Sequence, residues 1–146
     1  MNNLKTQIIM FLVMVIIGIL FNPMNILAYR FDDLFLSLTL FYGGLLMASN
    51  MIWAHEIVHY FSYGSLNYFT FFFGIILSVI ISIFLLRKQL LVNDKQWLKR
   101  MISHHSTALT TSKIIAKKTK NRNIKKLANE IINVQEKEIK LMKSMI

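Results

Sequence analysis

The chain has 146 residues, 55% of them hydrophobic and 16% charged, yet its formal net charge is +10. The imbalance is local: residues 1–86 carry Lys5 and Arg30 against Asp32, Asp33 and Glu56, while residues 87–146 carry fifteen Lys and Arg against Asp94, Glu130, Glu136 and Glu138. A single soluble domain, a collagen-like chain and, since there is no cysteine, a disulfide scaffold are excluded; an all-α membrane protein with a basic tail fits.

Three apolar stretches reach the roughly 20 helical residues that cross a bilayer of about 30 Å. They run over about 8–29 (interrupted by Asn22-Pro23), 34–61 and 68–86. Backbone groups in lipid must be satisfied within the segment, so each is expected to be a helix. The first has one Lys before it, no small-x-small cleavage site and a longer apolar run than a signal peptide, so a retained span is expected. Arg87, Lys88, Lys95, Lys99 and Arg100 follow the third stretch. The positive-inside bias therefore predicts a multi-pass integral membrane protein with a cytoplasmic C-terminus, or a virion-interior one if the source is viral. Tyr60, Tyr63 and Tyr68 would mark the far interface. The expected division is a membrane domain over 1–92 and a helical-hairpin domain over 93–146.

The second stretch contains His55-Glu56-Ile57-Val58-His59, a literal H-E-x-x-H. On a helix its two His lie one turn apart, the arrangement zinc proteases use with the Glu as base. A protease also needs a third protein ligand, and only Asp32 and Asp33 offer one. Met47, Met51, His55 and His59 recur every four residues and form a second candidate metal site. The plainer account is that these polar groups are hydrated or bonded between helices.

After Gly74 there is neither Gly nor Pro. The third helix either continues into the tail as one rod or breaks near Val92-Asn93-Asp94, where Asn or Asp would cap a new helix. A turn is expected at Thr119–Asn123, and a second helix from Ile124 to the end. At 100° per residue the first tail helix buries Trp97, Leu98, Met101, His105, Ala108, Leu109, Ser112, Ile115 and Ala116, and the second buries Ile124, Leu127, Ala128, Ile131, Gln135, Glu138, Met142 and Met145. Folding about Asn121 sets His105 against Glu138, Met101 against Met142 and Ala108 against Gln135, so polar groups costly in an apolar seam fall opposite one another. Two helices leave one side of the seam open. A homo-oligomer is expected, a dimer or higher, with the dimer completing a four-helix bundle.

The run Asp94-Lys-Gln-Trp97-Leu98-Lys-Arg-Met101-Ile102-Ser103-His104-His105-Ser-Thr-Ala108-Leu109, with Leu127-Ala128, Glu130-Ile131-Ile132, Gln135, Glu138-Ile139 and Met142, resembles the domain-of-unknown-function family numbered 305. That family shows Met-Ile-Pro-His-His followed by a small and an apolar residue. The resemblance covers about residues 93–146 and implies a ferritin-like shape and, as in some members, copper bound through Met and His. Ser103 departs from the usual Pro, and Thr111 stands where a further Met is common. A hairpin joined to membrane spans in this way looks like proteins of bacteria and large DNA viruses.

Met101, His104, His105, Gln135, Glu138 and Met142 are thus the first candidate metal site. Thioether with imidazole suits copper; carboxylate with imidazole suits zinc or iron. The alternative is a buried His–Glu pair that fixes helix register and binds nothing. Lys113, Lys117, Lys118, Lys120, Arg122, Lys125 and Lys126 gather at the hairpin tip. They would attract an acidic protein or nucleic acid, or stand as a solvated face, while the lysines and arginines after the third stretch would favour anionic lipid. The leading expectation is a non-enzymatic membrane protein with a metal-binding hairpin. A structural envelope or virion protein whose tail docks internal partners comes second, and an intramembrane zinc protease third.

Overall fold

The computed structural model describes residues 4–146, and every regular element among them is helical. The first three residues of the expected membrane domain lie outside the described residues. The chain divides into two compact units, one running to Phe21 and then from Leu38 to Leu91, the other comprising Asn22–Ser37 and Val92–Ile146. Residues 22–37, assigned above to the membrane domain, therefore belong with the tail.

The first unit holds α1 (Leu4–Leu20), α3 (Leu38–Tyr63) and α4 (Tyr68–Ile80), the last continuing as a wider-wound segment over Ile81–Arg87. The first helix stops short of Asn22-Pro23, because a residue before proline is pushed out of the helical region. Gly64, at φ 70°, ends α3, and the Asn67 side chain caps α4 by accepting from the Thr70 N–H at 3.2 Å. Small residues let the backbones approach closely. A Cβ on Gly18 would sit 2.9 Å from Gly44 Cα, and one on Gly44 would sit 2.8 Å from the Val15 carbonyl. Across α3 and α4, a Cβ on Gly74 would meet Trp53 N at 2.9 Å, and Ser78 Oγ donates to Ser49 Oγ at 3.0 Å.

Two segments are long and apolar enough to cross a membrane, Lys5–Ile26 and Tyr68–Arg87, with mean hydropathy of 2.3 and 2.7. The second expected span, α3, is not among them, since Ser49, Asn50, His55, Glu56 and His59 lower its hydropathy. Ser49 and Glu56 are fully buried within the unit. The third helix does not run on into the tail. Gln89 and Leu91 take left-handed conformations, Tyr42 Oη donates to the Leu90 carbonyl at 2.7 Å, and Asn93 caps the next helix.

The second unit is the hairpin of α5 (Asp94–Lys118) and α6 (Arg122–Lys143), with α2 (Pro23–Ile26) and a 3-10 turn at Phe31–Asp33. Asn121 Oδ1 accepts from the N–H groups of Asn123 and Ile124, so the turn falls within the expected residues but is tighter. Leu98, Ile102, Leu109, Ile139 and Met142 form the core, with Phe35, Met101 and Ile132 packed against it. The expected buried stripe is rotated. Trp97, Ile115, Ile124, Leu127 and Met145 are exposed, while Ile102, Ser103 and Ser106 are buried. The cause is the 22–37 connector, which covers the side of α5 that Ser103 and Ser106 present.

The glycine contacts yield a direct check. Gly44→Ala is expected to cost about 1–3 kcal/mol by forcing α1 and α3 apart. Gly43→Ala, where an added Cβ meets nothing within 4 Å, should be near neutral. Thermal unfolding of the detergent-solubilised variants, followed by helical circular dichroism, separates the two.

Candidate functional site

The hairpin register brings together the pair that spacing indicated. His105 on α5 and Glu138 on α6 approach to 3.0 Å between Nδ1 and Oε2, with the imidazole 14% exposed and the carboxylate 45%. The two groups are out of line for a hydrogen bond, so His105 Nδ1, like Gln135 Oε1, is buried without one. Met142 lies in the core and Met101 packs against it. His104 is exposed, its ring 5.9 Å from that of His105. Partial desolvation of its ring, then Arg100 and His105, hold the His104 imidazole below its usual range. Among the described residues no three His, Asp or Glu converge closely enough to hold a metal ion. The hairpin thus brings one imidazole and one carboxylate together, fewer protein ligands than a structural tetrahedral site takes.

The membrane-stretch candidates sit differently. His55 and His59 rings are 6.3 Å apart, and His59 Nδ1 lies 2.9 Å from the Ser65 carbonyl, to which it donates in the tautomer protonated there. Glu56, fully buried, accepts from the Asn67 N–H at 3.1 Å and so fastens the turn between α3 and α4. Met51 is half-buried, and Met47 reaches the Gly18 contact between α1 and α3.

Of the seven basic tip residues, Lys113 is engaged: it bonds Glu136 at 2.8 Å and lies 4.1 Å over the Tyr29 ring. Hydrogen bonds to Glu136 and Tyr29 raise its ammonium above the usual range, and Lys113 lowers Glu136. Lys117, Lys118, Lys120, Arg122, Lys125 and Lys126 are exposed.

A cluster that spacing alone did not reveal lies where the connector meets the hairpin. Asp33 is 1% exposed. Its Oδ1 is 2.6 Å from Lys143 Nζ, and its Oδ2 accepts from Ser106 Oγ at 2.7 Å. The same ammonium is 2.7 Å from Asp32 Oδ2. Ser106 Oγ also accepts from the Tyr29 N–H at 2.8 Å. Ser103 Oγ donates to the Asp33 carbonyl at 2.9 Å and accepts from the Phe35 N–H at 3.3 Å. A proline at position 103 has no hydroxyl and would forfeit both bonds. The available signal was slight: an acidic pair in a short polar joint, and a serine where the resembled family has proline.

The family described as Domain of unknown function (DUF305) matches residues 86–146. Over its whole length the chain is similar to "Uncharacterized protein L153" of Acanthamoeba polyphaga mimivirus, with 36% identity over 146 residues, covering all of this chain and 93% of that protein. No solved structure matches.

The cluster predicts a defined stability profile. Lys143→Met leaves the Asp33 carboxylate buried without its cation and is expected to cost about 3 kcal/mol. The hydrogen bond from Lys143 holds Asp32 below its usual 3.8, against burial. Burial pushes Lys143 down, but its bonds to Asp32 and Asp33 prevail and raise it above 10.5. A lowered acid stabilises above its unfolded value and loses that contribution as pH falls through the folded one. A raised lysine stabilises below its unfolded value and loses the contribution as pH rises through the folded one. Urea unfolding is therefore expected to show these contributions intact between about pH 4 and 10, declining beyond either end, with a flatter profile in Lys143→Met.

Proposed function

The chain belongs to one family with the mimivirus protein and carries a DUF305 domain at residues 86–146, and we propose that it is a non-enzymatic, multi-pass membrane protein that presents its hairpin as a docking platform. The observation that carries this reading is the outward-facing apolar surface of the first unit. In the most apolar 18-residue stretch of each of the two segments only 11% and 17% of the residues are buried, the inverse of a water-soluble core.

In this reading α3 makes the third crossing. Its polar residues Ser49 and Glu56 turn inward, as polar groups in a membrane bundle do. The small-residue contacts at Gly18, Gly44 and Gly74 are the kind that join helices in lipid. Three crossings leave the 22–37 connector and the C-terminal segment on one side of the bilayer, consistent with their sharing one unit. The lysines and arginines after α4 favour the cytoplasmic side, or the interior of a virion. Six exposed cations at the hairpin tip supply the attraction for an acidic partner there. The non-enzymatic part is supported by Glu56 and His59, which serve the α3–α4 turn rather than converging on a third ligand.

A second reading, a metal centre, is favoured by His105 Nδ1 and Gln135 Oε1, two of the four buried side-chain atoms without a hydrogen bond among the described residues. Copper would draw on His105 with the thioethers of Met101 and Met142; zinc or iron would draw on His105 and Glu138. Completion of the ligand set requires donors from a second copy.

Both readings are testable. The chain has no cysteine, so single Phe31→Cys, Ser65→Cys and Asn121→Cys variants report topology cleanly in sealed vesicles. A membrane-impermeant maleimide should label Phe31→Cys and Asn121→Cys from one side and Ser65→Cys from the other. Phe31→Cys and Ser65→Cys labelling from the same side would remove α3 as a span. For the metal, elemental analysis of protein reconstituted with copper, zinc or iron should show about half an equivalent per chain, lost in His105→Ala/Glu138→Ala. Absence of metal from the reconstituted wild type would end that reading.

A further inference from the structure

The side of α6 turned away from the hairpin core carries an ordered row of polar groups. At 100° per residue Ala128, Ile132, Ile139 and Met142 fall toward the core, and the opposite arc holds Arg122, Lys126, Asn129, Asn133, Lys137 and Lys140. All six are exposed. The row from Arg122 to Lys140 is about 27 Å long. No apolar or aromatic side chain falls within it, since Ile124, Leu127, Val134 and Leu141 project to other sides.

The charge is most one-sided at the end of the row nearest the turn. Lys117, Lys118, Lys120, Arg122, Lys125 and Lys126 fall within ten residues, and no acidic residue occurs between Asp94 and Glu130. The ion pairs of the hairpin among the described residues, His105 with Glu138, Lys113 with Glu136, and Lys143 with Asp32 and Asp33, use none of these six cations. Glu136 and Glu138 are thereby engaged, and Glu130 borders the row. Arg122, Lys125 and Lys126 also stand in the opening turns of α6, whose first turn holds no acid. There they repel one another and the positive end of the helix dipole. Residues that work against their own helix at exposed positions mark a surface that meets something outside the chain.

We propose that the tip and the outer side of α6 hold duplex DNA through its phosphates. The proposal rests on the reading of the hairpin as a docking platform and names what docks there. A straight row of cations matches the evenly spaced charge of a nucleic-acid backbone, and amides such as those of Asn129 and Asn133 also bond phosphates. A protein partner is anchored instead by desolvated apolar and aromatic side chains, which this surface lacks, and a bilayer would need an apolar group to insert. Unpaired bases would need aromatic rings to stack on. A helix about 10–12 Å across fits the roughly 12 Å major groove of B-form DNA, whereas the major groove of A-form RNA is too narrow. In that groove Lys125 and Lys137, on the two flanks of the row, reach opposite phosphate rims.

The experiment is titration of a short fluorescent duplex of mixed sequence with the full chain in zwitterionic nanodiscs. Six contacted phosphates predict a slope of log K against log salt of about −5, a loss of roughly a thousandfold between about 50 and 200 mM. Arg122→Ala/Lys126→Ala should weaken binding and make the slope shallower by about two. Glu130→Gln should tighten binding, and Lys95→Ala, exposed at the far end of α5, should leave it unchanged. Helical circular dichroism checks that each variant keeps its fold. The duplex should bind more tightly than a single strand, poly-glutamate or phosphatidylserine vesicles. Absence of duplex binding at the lower salt, or binding indifferent to Arg122→Ala/Lys126→Ala, overturns the proposal. Tighter binding of any of the other three also overturns it, yet leaves the docking platform standing with a different partner. Binding of none of the four removes both.

Discussion

A carboxylate buried to 1% exposure organises the tail of this protein. Asp33 cannot stay charged away from water without a cation and hydrogen-bond donors, and both come from the hairpin: Lys143 from the end of α6, Ser106 from the middle of α5. Because the acid lies in the joint between the first two apolar stretches, meeting its needs pulls residues 22–37 onto the hairpin. The Tyr29 and Phe35 N–H groups then find hydroxyl acceptors on α5, and Phe35 enters the core. The covered side of α5 and the rotated buried stripe both follow from that one requirement.

The first unit solves the converse problem. Its apolar side chains face outward, so burial of grease does not hold its helices together; close backbone approach does. Gly18 against Gly44, and Gly74 against Trp53, allow contacts that any added Cβ would disrupt. The polar groups of α3 occupy the interior, where Ser49 meets Ser78 and Glu56 meets the Asn67 N–H. Such an arrangement is at home in hydrocarbon, where water competes for neither kind of contact.

How much of this could be read from the chain divides along sequence distance. The all-helical character, the cap at Asn93, the turn at Asn121 and the opposition of His105 to Glu138 are local consequences of periodicity and a short turn, and they were legible. The Asp33–Lys143 contact joins residues over a hundred positions apart through no pattern in either segment, so the burial of Ser103 and Ser106 has no sequence signal. The composition of α3 was readable but ambiguous: His55, Glu56 and His59 match a protease motif by spacing, whereas in space Glu56 and His59 serve the turn that follows. Of the candidate ligands, Met101, His105, Glu138 and Met142 share the seam while His104 is exposed, and among the described residues no three His, Asp or Glu come together. Lys113 stands with the tip cations in sequence, yet Glu136 and Tyr29 engage it.

The 22–37 connector and the hairpin form one cooperative structure. Native-state hydrogen exchange of the full chain in lipid nanodiscs tests it directly, because the Tyr29 and Phe35 amides are held only by hydroxyls of α5. They are predicted to exchange slowly and to lose protection together with Ile102 and Leu109 as denaturant is raised. Exchange of both amides at free-loop rates, while the hairpin core stays protected, would contradict the account.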